Sequence, residues 1–352
     1  MDFTFTDDQL TFREAVSRFL MTEAAPERLR EIWDTDTGRS PELRKNIAEQ
    51  GLTALSVPED CGGLGMDDVA WALMTQELGY YALPDSLADA AYVAAGLITA
   101  LPAGTASREE WLARIAEGSI RIAVGHPVNP LVADANPANL LLLADGDAVH
   151  AVPREQVEVE PNPSIDLSRR LARVRWTPAT ATLIADGESG RALWAQTLNR
   201  GVLSAAGQLL GLAQRMLDLS VDYVAQRKQF GKPIGSFQAV KHHLADVARY
   251  IEQAKPVLYR AAHALARGDV NAGVWVSQAR LAANEASWIA ARKGIQVHGA
   301  MGYTWEVDLQ MFMKRAWALD ASWGDRAFHK TRVSDYLFAD TTGLGPGHTF
   351  EE

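Results

Sequence analysis

Apolar residues recur every three or four positions along most of this chain, and the spacing breaks down in one central stretch. Near the start, Leu10, Phe12, Ala15, Phe19 and Leu20 share one side of a helix. Thr6, followed by Asp7 and Asp8, supplies its cap. A second helix over about 41–51 ends at Gly51, and after the Pro/Gly loop LTALSVPEDCGGLGMDD a further helix reads WALMTQELGYYAL. Between about 116 and 186 the pattern changes to IRIAVGHP, NLLLLADG, AVHAVP, VEVEP, LARVRW and ATLIADG. These short runs, rich in Val, Ile and Leu and divided by Gly, Pro, Asn and Asp, predict strands of a small antiparallel sheet. From about 187 the helical spacing returns, with Leu203, Ala206, Leu210, Ala213, Leu217, Val221 and Val224 on one face. A helix from Gln238 to about Ala266, another over roughly 271–297 and a shorter one after Trp305 follow, and long helices with short connections imply a bundle. The expected fold is mainly α with a small β domain, in three parts at 1–115, 116–186 and 187–352. The tail, TTGLGPGHTFEE, is expected to fray.

Composition narrows the function classes. The 352 residues are 47% hydrophobic and 22% charged, enough for two or three domains and a large core. A formal net charge of -10 argues against a general nucleic-acid binder but leaves room for a local basic pocket. A single cysteine, Cys61, excludes an internal disulfide and fits a reducing compartment. The acidic start, MDFTFTDDQL, lacks the features of a signal peptide, and the most membrane-like stretch, SLADAAYVAAGLITALPAG, carries Asp89. A cytoplasmic protein is expected, with no metal, nucleic-acid or membrane partner.

Candidate chemistry concentrates in two stretches. In RKQFGKPIGSFQAV, residues 227–240, Arg227 and Lys228 stand at the end of one helix, Gly231 and Gly235 permit tight turns, and the next helix starts near Gln238. A guanidinium fork suits phosphate, and a helix N-terminus attracts anions. In GIQVHGAMGYTWE, residues 294–306, the small residues Gly299, Ala300 and Gly302 let a ligand approach the backbone, and Gln296 can hydrogen-bond an adenine edge or a phosphate. A helix corner with solvated cations accounts for either stretch alone about as well.

Taken in order with PEDCGGLGMD, the stretches RKQFGKPIGSFQAVKHHLAD and QVHGAMGYTWE resemble the acyl-CoA dehydrogenase family over nearly the full length. The resemblance implies an N-terminal helical domain, a middle β domain, a C-terminal four-helix bundle, FAD, a CoA thioester and a tetramer built from two dimers. In that family the ADP half of each flavin is held by the bundle of the neighbouring subunit. The residues matching that role are Arg227, Phe230, Phe237, Gln238, Gln296, Val297, His298, Gly299 and Ala300, the last standing where many members have glycine. His298 fits packing at the turn as well as ligand contact.

The reaction of that family needs a carboxylate as general base at the substrate α carbon. The matching stretch, RAWALDASWGDRAFHK, places the usual glutamate position on Ala321, Ser322 or Trp323, and no glutamate occurs between Glu306 and Glu351. The position used by some other members falls near Ala266 in LYRAAHALARGD, again without a carboxylate. Asp320 and Asp325 are possible substitutes, although Asp325 can cap the last helix near Arg326 and Asp320 can pair with Arg315 or Lys314. The Thr-Glu and Gly-Ser-Asp motifs that bind the flavin ring are replaced by AVGHPVNPLVADANPANL. Three losses beside a retained ADP-binding half resemble a non-catalytic subunit of an α2β2 acyl-CoA dehydrogenase. It would share FAD with a homologous catalytic chain, act on bulky steroid side-chain CoA esters, and pass electrons to an electron-transferring flavoprotein. The alternatives are an active homomeric enzyme using Asp320 or Asp325, and a flavin-free scaffold or CoA-binding module.

Overall fold

The computed structural model describes residues 4–339 and 342–343; apart from Thr342 and Gly343, the tail lies outside the described residues. Six helices come first: α1 (Asp7–Glu23), α2 (Pro26–Trp33), α3 (Pro41–Glu49), α4 (Asp68–Tyr80), α5 (Ala95–Thr99, continuing a π-helical turn over Asp89–Ala94) and α6 (Arg108–Ala116). Thr6 caps α1 through a reciprocal box with Gln9, so the first-turn donors are satisfied as expected. The buried side of α1 differs from the pattern: Val16 and Leu20 are buried, while Leu10 is 43% exposed and Ala15 faces solvent. The buried stripe of α1 runs through Val16 and Leu20, its second half, and leaves the first turn uncovered among the described residues.

Seven strands follow: β1 (Ile122–Gly125), β2 (Val132–Ala133), β3 (Leu140–Asp145), β4 (Ala148–Pro153), β5 (Glu158–Asn162), β6 (Leu171–Arg175) and β7 (Leu183–Ala185). They form two sheets, ordered β1-β3-β4-β7 and β2-β6-β5. The expectation of one antiparallel sheet is corrected in two respects. There are two layers, and β1 runs parallel to β3, with Ile122 opposite Leu140. The chain leaves β1, contributes β2 to the second sheet and returns, which supplies the crossover that a parallel pair requires. Burial on both sides explains why β3 reads as a continuous leucine run. Leu140 and Leu142 face the main core, whereas Leu141 and Leu143 face the second sheet.

The third part holds α7 (Gly187–Gln226), a hairpin of β8 (Lys228–Gln229) and β9 (Lys232–Pro233), α8 (Gln238–Ala266), α9 (Ala272–His298), α10 (Leu309–Asp320) and α11 (Arg326–Leu337). Of the predicted α7 face, Leu203 through Ala213 and Val224 are buried; Leu217 is half-buried and Val221 is 45% exposed. α4 crosses α7 at very short range. A Cβ added at Gly211 would lie 1.9 Å from the Gln76 carbonyl oxygen, and one at Gly79 would lie 2.1 Å from that of Gln208. Gly211→Ala removes about 1 kcal/mol of helix-propensity cost but drives a methyl into backbone. The clash dominates, and a net destabilisation of about 2 kcal/mol is expected in urea unfolding. No helix among the described residues is long and apolar enough to cross a membrane.

Candidate functional site

α7 ends where Arg227 turns to extended backbone, and the chain reverses at once through the β8–β9 hairpin. Its two turn residues, Phe230 at φ 52° and Gly231 at φ 79°, are both left-handed, which suits a two-residue hairpin loop. Glycine adopts that conformation freely; Phe230 does so at a cost on the order of 1 kcal/mol, with its ring 91% exposed. Phe237 stands edge-on to it at 6.0 Å, and the Lys232 ammonium lies 4.5 Å from the Phe237 ring centroid. α8 then begins at Gln238 with no side chain capping its first amides.

The second stretch arrives beside the first. α9 closes at His298, and Gly299 at φ 61° opens a 3-10 turn through Tyr303. Tyr223 near the end of α7 stacks on His298 at 4.1 Å and donates from Oη to the His298 carbonyl at 3.3 Å. Beneath them Val224, Leu244 and Val297 form a separate small core, flanked by Ile234 and Val240. This core holds hairpin, α8 start and α9 end as one surface. Arg227, Phe230, Gln238, Gln296, Gly299 and Ala300 are exposed on it, and Phe237 is half-buried. A Cβ at Gly299 would meet nothing within 4 Å, so the turn is an open approach to backbone. The Arg227 guanidinium makes no hydrogen bond or ion pair among the described residues and faces solvent.

Two of the predicted contact residues point elsewhere. Val297 is 7% exposed and belongs to the small core; His298 is 4% exposed, with Nδ1 2.8 Å from the Gly294 carbonyl. Burial lowers the His298 pKa, keeping the ring neutral. Their side chains are packing elements that fix the turn.

At the other end of the bundle, Trp323 stands where the carboxylate stretch meets AVGHPVNP. It is 6% exposed, in the left-handed region at φ 57°. Its amide donates to Asn129 Oδ1 at 2.6 Å, and its ring lies 5.7 Å from His126. The indole rests on α7 where Gly201 leaves room: a Cβ there would be 2.2 Å from Trp323 Cδ2. Behind it the fully buried Arg280 donates to the carbonyls of Leu319 and Ser322, the latter at 3.0 Å, locking the turn. Sequence reading left three positions open for the missing carboxylate; it could have weighed a glycine inside a long helix as the mark of a close neighbour.

The two aspartates are committed. Asp320 pairs with Arg326 at 3.2 Å, not with Arg315 or Lys314 as expected. Arg315 bonds Asp166 instead, and the Lys314 ammonium lies 3.4 Å from the Trp305 ring centroid. Asp325 caps α11 by accepting from the Phe328 amide at 2.8 Å, as the sequence suggests. Ala266 is exposed at the end of α8.

Two histidines around Trp323 are buried neutral. Burial pushes His126 down to about 4. His329, whose Nε2 is 3.1 Å from the Trp323 carbonyl, is pushed to about 4 by burial, then by Arg280 and Arg332. Their folded values lie below the ordinary imidazole value near 6.5, so the unfolded chain takes up protons first as pH falls. Stability is expected to be full above about pH 6.5 and to drop by several kcal/mol toward pH 4. Urea midpoints across that window check this, and His126→Asn with His329→Gln should flatten the slope.

Comparison with known proteins agrees with this architecture. The family described as Acyl-CoA dehydrogenase, N-terminal domain, matches residues 6–119, and Acyl-CoA dehydrogenase, C-terminal domain, matches residues 188–337. The chain is 34% identical to the acyl-CoA dehydrogenase IpdE2 of Mycobacterium tuberculosis, over 88% of this chain and 91% of that protein. Its fold matches the ChsE4-ChsE5 complex of Mycobacterium tuberculosis at TM-score 0.85 and 22% identity, over 97% of this chain and 100% of that one. It also matches the Tcur3481-Tcur3483 steroid ACAD at TM-score 0.83 and 22% identity, over 94% and 97%.

Proposed function

This chain belongs to the acyl-CoA dehydrogenase family, and we propose that within it the protein is the non-catalytic, FAD-sharing subunit of a heteromeric enzyme. One observation carries the reading: the Trp323 indole fills the junction of the base stretch and the flavin-ring stretch, while the Arg227 surface at the far end of α7 stays open. Neither aspartate of the base stretch is free there: Asp320 is held by Arg326, and Asp325 accepts from the Phe328 amide at the start of α11.

FAD supplies hydride acceptance when bound. Around its ring the chain offers no matching donors on this reading: the stretch AVGHPVNP packs its buried His126 and its Asn129 against the Trp323 indole instead. Around its ADP half the chain does fit: Arg227 is a fork for the pyrophosphate, Gln238 and Gln296 are polar side chains at its flank, and the uncapped start of α8 adds oriented amides. A homologous chain with an intact glutamate would supply the base, the acyl-CoA pocket and the ring contacts. Likeness in fold to the ChsE4-ChsE5 complex and to a steroid ACAD supports a two-chain assembly acting on bulky steroid side-chain CoA esters. Electron-transferring flavoprotein is the proposed acceptor.

Purification decides it. The chain alone is expected to be colourless and inactive, and the chain co-expressed with such a homologue yellow and active on acyl-CoA. Flavin absorbance and turnover from this chain alone would overturn the reading.

A further inference from the structure

Where the three parts of the chain meet, a polar cleft of about 40 Å³ lies beside Trp323, between the turn before the π-helix, the second sheet and α10. Its walls carry an uneven set of charges. Arg39 forks onto Asp134, with Nε 2.9 Å from Oδ2. Arg315 takes Asp166, and Arg44 and Arg121 share Asp85 at 3.1 and 3.4 Å. That leaves Arg169 and Arg170 with no carboxylate partner, and the Nε of each is buried with nothing to donate to. Arg170 reaches only the carbonyls of Trp33 and Thr35, at 3.4 and 3.1 Å. The single further acid, Asp89, lies on the same cleft and makes no ion pair within 4.0 Å. Four guanidiniums (Arg39, Arg169, Arg170 and Arg315) and three carboxylates (Asp85, Asp89 and Asp134) line the cleft, an excess of one positive charge on its walls.

We propose that this cleft is a binding site for one small anion, no larger than acetate, held by Arg169 and Arg170 opposite Asp89. Burying a cation short of counter-charge is costly, and a guanidinium with an unpaired buried Nε at Arg169, next to Arg170 on the wall of one polar cavity, is the complement of an oxyanion or halide. The volume admits a few water-sized groups and no acyl chain. The site is separate from the Arg227 surface and does not depend on a shared flavin.

The probes are sodium chloride and sodium acetate, with sodium gluconate at matched ionic strength as the anion too large to enter. The thermal midpoint of the full chain is expected to rise saturably by several degrees with chloride or acetate and not with gluconate. A stronger response to acetate assigns a carboxylate, a stronger response to chloride an inorganic ion. Arg169→Gln should weaken the apparent affinity at least tenfold, and Asp89→Asn should tighten it several-fold by removing the opposing charge. An equal rise with gluconate, meaning screening and trapped water only, overturns the site. So does an Asp89→Asn protein whose small-anion response is unchanged or weaker, and that variant decides the matter if Arg169→Gln does not fold.

Discussion

Replacing Arg227 with alanine is expected to lower the affinity of the two-chain complex for FAD roughly thirty- to hundredfold, the loss of one charge-assisted phosphate contact. The folded chain should hardly notice. Its guanidinium is exposed and bonded to nothing among the described residues, so the change in stability is expected to stay within about 0.5 kcal/mol. The pairing of a large binding effect with no folding effect separates an anion cradle from a helix corner that merely carries solvated charge. Fluorescence titration of FAD into the complex, beside urea unfolding of the variant, reads both quantities. An unchanged FAD affinity would remove Arg227 from the site.

Asp166→Ala is expected to cost about 3–5 kcal/mol, the largest effect among single substitutions considered for this chain. Asp166 is fully buried and accepts from Arg315 and from Ser168, whose amide and hydroxyl lie 3.1 and 2.6 Å from Oδ1. Without it Arg315, also buried, keeps only the Leu83 carbonyl at 3.2 Å and the Ser168 hydroxyl, and an uncompensated charge is left inside. The Arg315→Met change made on top of Asp166→Ala should recover much of the loss, because an apolar pair of similar volume needs no counter-charge. Chemical denaturation of the three proteins tests it. A double variant no more stable than the single one would show that the pair is not the unit.

The contrast between these two residues explains what the sequence made legible. Signals that act over a few residues were readable: the Thr6 cap, the limits of α8 between Gln238 and Gly268, and the cap by Asp325 all follow from local chemistry. The Arg227 hairpin was readable because its cations, glycines and proline sit together. Arg315 and Asp166 are 149 positions apart, and nothing local tells Arg315 to prefer Asp166 to the nearer Asp320. The direction of β1 was hidden for a related reason. A four-residue apolar run looks the same whether its neighbour is parallel or antiparallel, and only the excursion through β2 decides it. Trp323 was visible as one of three positions, but its burial against Gly201 depends on where α7 passes, which no spacing near either residue records.

The single helix α7 has one more consequence. Its 40 residues make a rod of roughly 60 Å. Near one end, Gly190 and Trp194 lie against the β3–β4 turn; Gly201 receives Trp323 further along; and the hairpin leaves from the other end. Gly201 and Arg227 are therefore roughly 40 Å apart on one stiff element, far beyond the range at which substitutions affect each other. Heredity can edit one station without disturbing the other. A change at the Gly201–Trp323 contact leaves the Arg227 hairpin as it was, and a change at the hairpin leaves that contact packed. Suppressor screens begun at either end should accordingly return separate sets of residues.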